Sequence, residues 1–194
     1  MAEYKIEYLH ATDEQRELAQ LARQIVEEKL RPQVHDLEIA NDGLGAYPWD
    51  VHNARLEAGF YSMNMPEEWG GLDLYVVTRA LIINSHIPEA DKKEWIRKML
   101  EEGKGGAFGL TEPGAGSDSK AIRTTAVKDG DDWVINGTKC FITNGSISDF
   151  YGIFAWTDKT KTAGHGITCF LVERDTPGLE VAKLENKMGL KLSP

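Results

Sequence analysis

Gly106-Ala-Phe-Gly-Leu-Thr-Glu-Pro-Gly-Ala-Gly-Ser-Asp118 marks the point where the character of the chain changes. The segment packs backbone donors, two hydroxyls and two carboxylates into one turn-rich stretch. Glycines at 114 and 116 let a backbone approach a ligand closely, because no Cβ intervenes. Pro113 fixes one dihedral and stiffens the bend. Successive amides in such a loop form an anion-binding concavity, to which Thr111 and Ser117 add hydroxyl donors.

Commoner phosphate-binding loops do not fit. Gly114-x-Gly116 lacks the third glycine of a dinucleotide fingerprint, and β-branched residues over 121–128 read as a strand where that fingerprint needs a helix. No Gly-Lys-Ser/Thr follows, which excludes a P-loop. Ser117 is not in Gly-x-Ser-x-Gly, so a hydrolase elbow is unsupported. A second segment runs Trp133-Val-Ile-Asn-Gly-Thr-Lys-Cys-Phe-Ile-Thr-Asn-Gly-Ser146. Asn136-Gly137 between two apolar runs predicts a two-residue hairpin. Phe141, Ile142 and Thr143 at the end of the strand expected after it offer a wall for a flat aromatic ring. The alternative is an ordinary hairpin with its aromatics in the core.

Outward from these segments the chain divides near Lys104. Before it, helical spacing dominates. Thr12-x-x-Gln15 is a capping box, followed on one face by Leu18, Leu21, Ala22, Ile25 and Val26. Pro32 interrupts that helix, and Val34 and Leu37 carry the stripe onward. Pro48 suits the first turn of a helix ending at Gly59. Two more helices are expected over 73–83 and 90–103. After Lys104, strands are expected over 121–128, 132–136, 138–143, 151–157, 166–173 and 179–184. Asp129-Gly130, Asn136-Gly137 and Pro177-Gly178 mark turns between them. Helices followed by strands indicate an α+β arrangement.

Composition sets limits. The chain has 194 residues, room for one large or two small domains. A net charge of −9 argues against nucleic acid as partner, though not against a local site for a phosphorylated ligand. No apolar run is long enough to span a membrane and no secretory signal is visible, so a cytoplasmic or mature organellar matrix location is expected. Cys140 and Cys169 lie in strand-like runs and read as buried thiols. The five histidines show no ligand spacing, so no metal is expected. The tryptophans read as core or interface residues. Lys92, Lys93, Arg97 and Lys98 form one solvated helical face.

Taken together, the segments resemble the acyl-CoA dehydrogenase family of flavoproteins. Met65-Pro-Glu-Glu-Trp-Gly-Gly-Leu72 is similar to that family's Pro-Glu-x-aromatic-Gly-Gly segment. Gly109-Leu-Thr-Glu-Pro-Gly-Ala-Gly-Ser-Asp118 is similar to its first signature. Asn136-Gly-Thr-Lys139 with Phe141-Ile-Thr-Asn-Gly145 is similar to its flavin-wall segment. Lys187-Met-Gly-Leu190 and Ser193 resemble its Lys-x-Gly-x-Arg-x-Ser stretch, with Lys191 in place of Arg.

Pattern and resemblance indicate an N-terminal all-helical domain, 1–104, and a small antiparallel β-barrel-like domain, 105–194, which is incomplete and binds flavin. The resemblance implies FAD as cofactor. Phe108, Leu110 and Thr111 would line the isoalloxazine, with amides and the Thr111 hydroxyl at its pyrimidine edge. Gly116 and Ser117 would touch the cofactor, and Ser117 would also reach the CoA of the substrate. Phe141, Ile142 and Thr143 would cover the other flavin wall. Donors at the pyrimidine edge stabilise charge that the ring gains on reduction. The implied reaction, within fatty acid metabolism, is α,β-dehydrogenation of an acyl-CoA, with an electron-transfer flavoprotein as acceptor and a homo-oligomeric whole protein.

Two departures bear on this expectation. The family continues beyond its β domain into a helical bundle that carries the catalytic Glu, and nothing here matches that residue. Glu112, Glu173, Glu180 and Glu185 are not assigned as base, so the chain reads as a fragment whose activity in isolation is doubtful. The stretch 71–90 also reads as several helical turns short. Alternatives are a related acyl-CoA oxidase, nitroalkane oxidase or enoyl-CoA reductase, a non-catalytic flavin- or partner-binding module, or a structural α+β domain.

Overall fold

Thr12 caps the first helix as its sequence context predicts. Its hydroxyl accepts from the Gln15 amide at 3.2 Å, and the Gln15 side chain accepts from the Thr12 amide at 3.0 Å. The structure is a computed structural model, and it describes residues 12–40, 47–63, 82–189 and 193. The 65–72 segment, most of the helix expected over 73–83, and residues 190 and 191 lie outside the described residues.

Helix α1 spans Asp13–Ile25 and passes into a π-helical turn, Val26–Leu30, closed by Arg31 N donating to Val26 O at 2.8 Å. Pro32 accounts for the break. It has no N–H for the Glu28 carbonyl, and its ring crowds that oxygen. Helix α2, Val34–Ile39, resumes beyond it. Helix α3, Trp49–Glu57, follows Pro48 and ends in a Schellman motif. There Phe60 N reaches Arg55 O, Gly59 N reaches Leu56 O, and Gly59 takes a φ of 75°. Ile25, Val51 and Ala54 form a small core between α1 and α3.

Helix α4, Glu89–Glu101, leads into the sheet. Strand β1 is Gly106–Gly109, β2 Thr125–Asp129, β3 Asp132–Asn136, β4 Phe150–Trp156 and β5 Ile167–Glu173, with a short helix α5, Ala163–Gly166, before β5. β4 is the spine. β1 lies parallel to its first half, from Gly106 opposite Phe150 to Gly109 opposite Ile153. β2 continues along that edge, Thr125 opposite Trp156, and forms an antiparallel hairpin with β3. β5 runs antiparallel along the other edge. The α+β arrangement is therefore present. The sheet itself is mixed rather than purely antiparallel, and it is not closed among the described residues.

Helix and sheet meet at Phe150, whose neighbours in the core are Ile82, Ile96 and Met99. Trp95 packs on it at a tilt of 59°, with ring centroids 5.1 Å apart. Asp149 fixes the entry to β1: it accepts from Lys104 Nζ at 3.0 Å and from the Gly105 amide at 2.9 Å. On the basic face of α4, Arg97 meets Glu94, Glu101 and Glu102, and Lys92 Nζ donates to Ile83 O at 2.9 Å.

Several expectations are corrected. The run over 138–143 is not a strand, and Asn136-Gly137 is not a hairpin turn. Phe141 and Asn144 take φ values of 55° and 61°, which break an extended path, and the Cys140 amide bonds to another loop. The run over 179–184 is irregular and pairs with no strand among the described residues. The strand expected from 121 begins at Thr125, because Asp118 accepts from Lys120 N and folds Ser119–Ala121 into a 3-10 turn. β1 was not expected. Cys169 is exposed, because β5 is an edge strand, and Cys140 is half-buried in a loop. Of the tryptophans read as core or interface residues, Trp95 packs against the core, and Trp49 and Trp133, 51 % and 42 % exposed, are not core residues.

Candidate functional site

β1 presents Phe108 beside Phe154, with centroids 5.0 Å apart, and buries Ala107 and Gly109. The chain then turns through Pro113 and Gly114, with Glu112 and Ala115 exchanging amide–carbonyl hydrogen bonds at 3.1 and 3.0 Å. Leu110 and Thr111 are half-buried on the way in, and Gly116 and Ser117 are exposed on the way out. Neither Gly114 nor Gly116 has a positive φ, and a Cβ built on either meets nothing within 4 Å. The loop's own conformation does not require glycine at these two positions.

The second segment comes back to this loop. The Cys140 amide donates to Thr111 O at 2.9 Å. Lys139 Nζ donates to Leu110 O at 3.1 Å and to Glu112 Oε1 at 2.8 Å. Beyond it, Phe141 is 75 % exposed, Ile142 half-buried and Thr143 exposed. Tyr151 ties this turn to β4 by donating to Gly145 O at 2.8 Å. The hydroxyls of Thr111, Ser117 and Thr143 have no hydrogen-bond partner among the described residues, and Ser146 Oγ is buried without one. The structure thus brings 110–112 against 139–140. No hydrogen bond joins Gly116 or Ser117 to 141–143 among the described residues.

The centre of this junction is Glu112, which sequence reasoning left without a role. It is 6 % exposed. Oε1 accepts from Lys139 Nζ, from the Thr124 amide at 3.0 Å and from the Thr124 hydroxyl at 2.5 Å, and Oε2 accepts from the Arg123 amide at 2.5 Å. Lys139 is comparably buried, with its side chain 9 % exposed. Gly137 permits this geometry, since a Cβ there would lie 2.1 Å from Thr124 Oγ1. Glu112 and Lys139 each sit in a motif quoted above. Nothing local says that they meet across 27 positions.

Burial alone would raise the pKa of Glu112. The hydrogen bonds from Lys139, Thr124 and Arg123 together outweigh it and bring the carboxyl from 4.5 down to about 2. The folded-state value lies below the unfolded one, so this group's contribution is present above about pH 4.5 and disappears as pH falls towards 2. A difference of that size corresponds to about 3 kcal/mol. Urea midpoints measured between pH 6 and pH 2.5 should fall steeply below pH 4.5, and Glu112→Gln should flatten that fall.

Comparisons with known proteins place the chain in a family. The family model described as Acyl-CoA dehydrogenase, N-terminal domain, matches residues 12–88. The one described as Acyl-CoA dehydrogenase, middle domain, matches residues 107–194. The chain is 32% identical over 207 residues to a short-chain-specific acyl-CoA dehydrogenase of Clostridium acetobutylicum, covering 94% of this chain and 53% of that protein. It superposes on butyryl-CoA dehydrogenase from Megasphaera elsdenii with a TM-score of 0.82 and 33% identity, covering 95% of this chain and 54% of that one. A glutaryl-CoA dehydrogenase from Mycobacterium smegmatis in complex with FADH2 gives a TM-score of 0.79 at 28% identity, covering 98% of this chain and 53% of that one. The chain spans about half the length of the curated relatives it matches.

Proposed function

Because the chain belongs to the acyl-CoA dehydrogenase family, we propose that residues 106–118 and 139–143 hold the flavin of FAD, in a protein that carries out α,β-dehydrogenation of an acyl-CoA. Phe108, Leu110 and Thr111 line one side of the ring, and Phe141, Ile142 and Thr143 cover the other. Gly116 and Ser117 contact the cofactor, and Ser117 also meets the CoA portion of the substrate. The observation that supports this assignment is the junction of the two segments, where the Cys140 amide donates to Thr111 O and the Lys139 ammonium to Leu110 O.

The donor set suits such a ligand. Thr111, Ser117 and Thr143 offer hydroxyls without partners among the described residues, and the exposed Phe141 ring supplies apolar area for a flat aromatic system. FAD, when bound, supplies the hydride acceptor. The chain's own part is to place donors, exclude water from the ring faces and hold the loops at fixed spacing. The helical domain, 1–104, and the β domain, 105–194, are proposed as the two units that frame the acyl chain and the cofactor. An electron-transfer flavoprotein as acceptor and a homo-oligomer complete the proposal. The exposed Leu21, Val26, Ile39 and Trp49 supply apolar surface for association.

The test is the visible absorption of the purified chain after incubation with FAD and desalting. Retained oxidised-flavin bands support the cofactor assignment, and a colourless folded protein overturns the assignment of the site to this chain. Gly116→Ala should leave Tm unchanged, since its Cβ meets no protein atom within 4 Å. It should weaken FAD retention by the 1–3 kcal/mol or so typical of overpacking, read by fluorescence titration. Equal affinity for FAD in Gly116→Ala and the parent would remove Gly116 from the site.

A further inference from the structure

The buried pair of Glu112 and Lys139 sits where the two proposed flavin segments join, yet neither side chain is needed to line the ring. Lys139 Nζ divides its donors between the Leu110 carbonyl, one residue from Thr111, and the Glu112 carboxylate. Glu112 in turn is anchored to the chain entering β2 through the Arg123 and Thr124 amides. The ammonium is therefore held by a carboxylate that cannot swing away. Both groups are more than nine-tenths buried. Charges so placed are weakly screened and act on neighbouring groups more strongly than surface charges do.

We propose that Lys139 and Glu112 are positioning residues that balance each other's charge beside the flavin, and so set how tightly the protein holds the reduced ring relative to the oxidised one. This inference rests on the assignment of the flavin to residues 106–118 and 139–143. The physical sense is direct. A reduced flavin carries more negative charge than an oxidised one. An unopposed ammonium at Leu110 would favour the reduced form, and an unopposed carboxylate would disfavour it. Paired, the two present a near-neutral environment while still fixing the carbonyl of Leu110 in place.

A purely structural clamp and a charge-balanced one differ in sign. If the pair only clamps the loops, Glu112→Gln and Lys139→Gln loosen the same site and shift the reduction potential of bound FAD in the same direction or not at all. If the charges matter, Glu112→Gln raises the potential and Lys139→Gln lowers it. Each shift should be about tenfold in the ratio of reduced- to oxidised-flavin affinity, or about 30 mV for a two-electron couple. Lys139→Arg, which keeps the charge, should stay near the parent value.

The experiment loads the full chain and each variant with FAD and titrates them against redox indicator dyes, with circular dichroism on each sample to confirm folding. Opposite shifts for the two glutamine variants support the proposal. Shifts of one sign, or none, overturn it and leave the flavin assignment standing. Should Glu112→Gln not fold, the contrast of Lys139→Gln with Lys139→Arg decides alone, since equal potentials for those two would overturn the charge role. A parent chain that folds and retains no FAD overturns the flavin assignment itself, and the inference with it.

Discussion

Glu112→Ala should cost about 3–5 kcal/mol of folding stability, the range for breaking a buried ion pair by removing one partner. The substitution leaves Lys139 buried without its counter-charge and strips the acceptor from the Thr124 hydroxyl and from the Arg123 and Thr124 amides. Each of those donors would then lack a protein partner, which adds to the cost. Against a typical domain stability of about 5–15 kcal/mol, the loss is large enough to unfold a marginal chain. A surface pair gives the contrast. Arg16 and Asp13 are 2.6 Å apart but exposed, and Asp13→Ala should change little. Urea unfolding followed by circular dichroism would separate the two. A shift for Glu112→Ala no larger than that for Asp13→Ala would show that the junction contributes nothing to the fold.

Phe150→Ala should be comparably damaging, by about 3–5 kcal/mol, through a different mechanism. The side chain is 1 % exposed. It belongs to β4, the strand with the most partners, and it carries the contact between the sheet and α4 through Ile96, Met99 and Trp95. Truncation would leave a cavity bordered by elements held at several other points, so collapse around it would be incomplete. Near-UV circular dichroism should lose part of the Trp95 signal at the same time. Val127→Ala, at a position 62 % exposed, should stay within about 0.5 kcal/mol of the parent. Similar losses for both would mean that helix and sheet are not energetically joined at Phe150.

The parts of the fold legible in the sequence were those governed by local chemistry. The Thr12 and Gln15 capping box, the break before Pro32, the glycine at the end of α3 and the turn at Gly130 each depend on residues a few positions apart. β3 and β5 were placed to within a residue because alternation and turn residues bound them on both sides. The two loops of the candidate site were legible as motifs through the residue types they carry, not through their conformation: neither Gly114 nor Gly116 takes a positive φ, and the second loop was expected as a strand.

What failed was whatever depends on a partner distant in sequence. The run at 138–143 has strand composition, but its Cys140 amide is taken by Thr111, so no ladder forms. Gly106–Gly109 has weak strand composition, yet it pairs with β4 because Asp149 holds Gly105 at the start of that edge. Cys169 sits in an apolar run that lies on an edge strand with an outward face, and only the order of strands could say so.

By itself, then, the sequence determined the order of helices before strands, the ends of several elements and the chemical character of the two loops, because these rest on propensity, capping and turn geometry among near neighbours. The tertiary structure alone decided that Glu112 meets Lys139 and Thr124, that Gly137 must be small, and that Thr111 faces Cys140. The first depends on a carboxylate losing water and recovering its hydrogen bonds from groups 11 to 27 positions away, and all three on contacts between residues distant in sequence, a balance set by packing and not by any local pattern of residues.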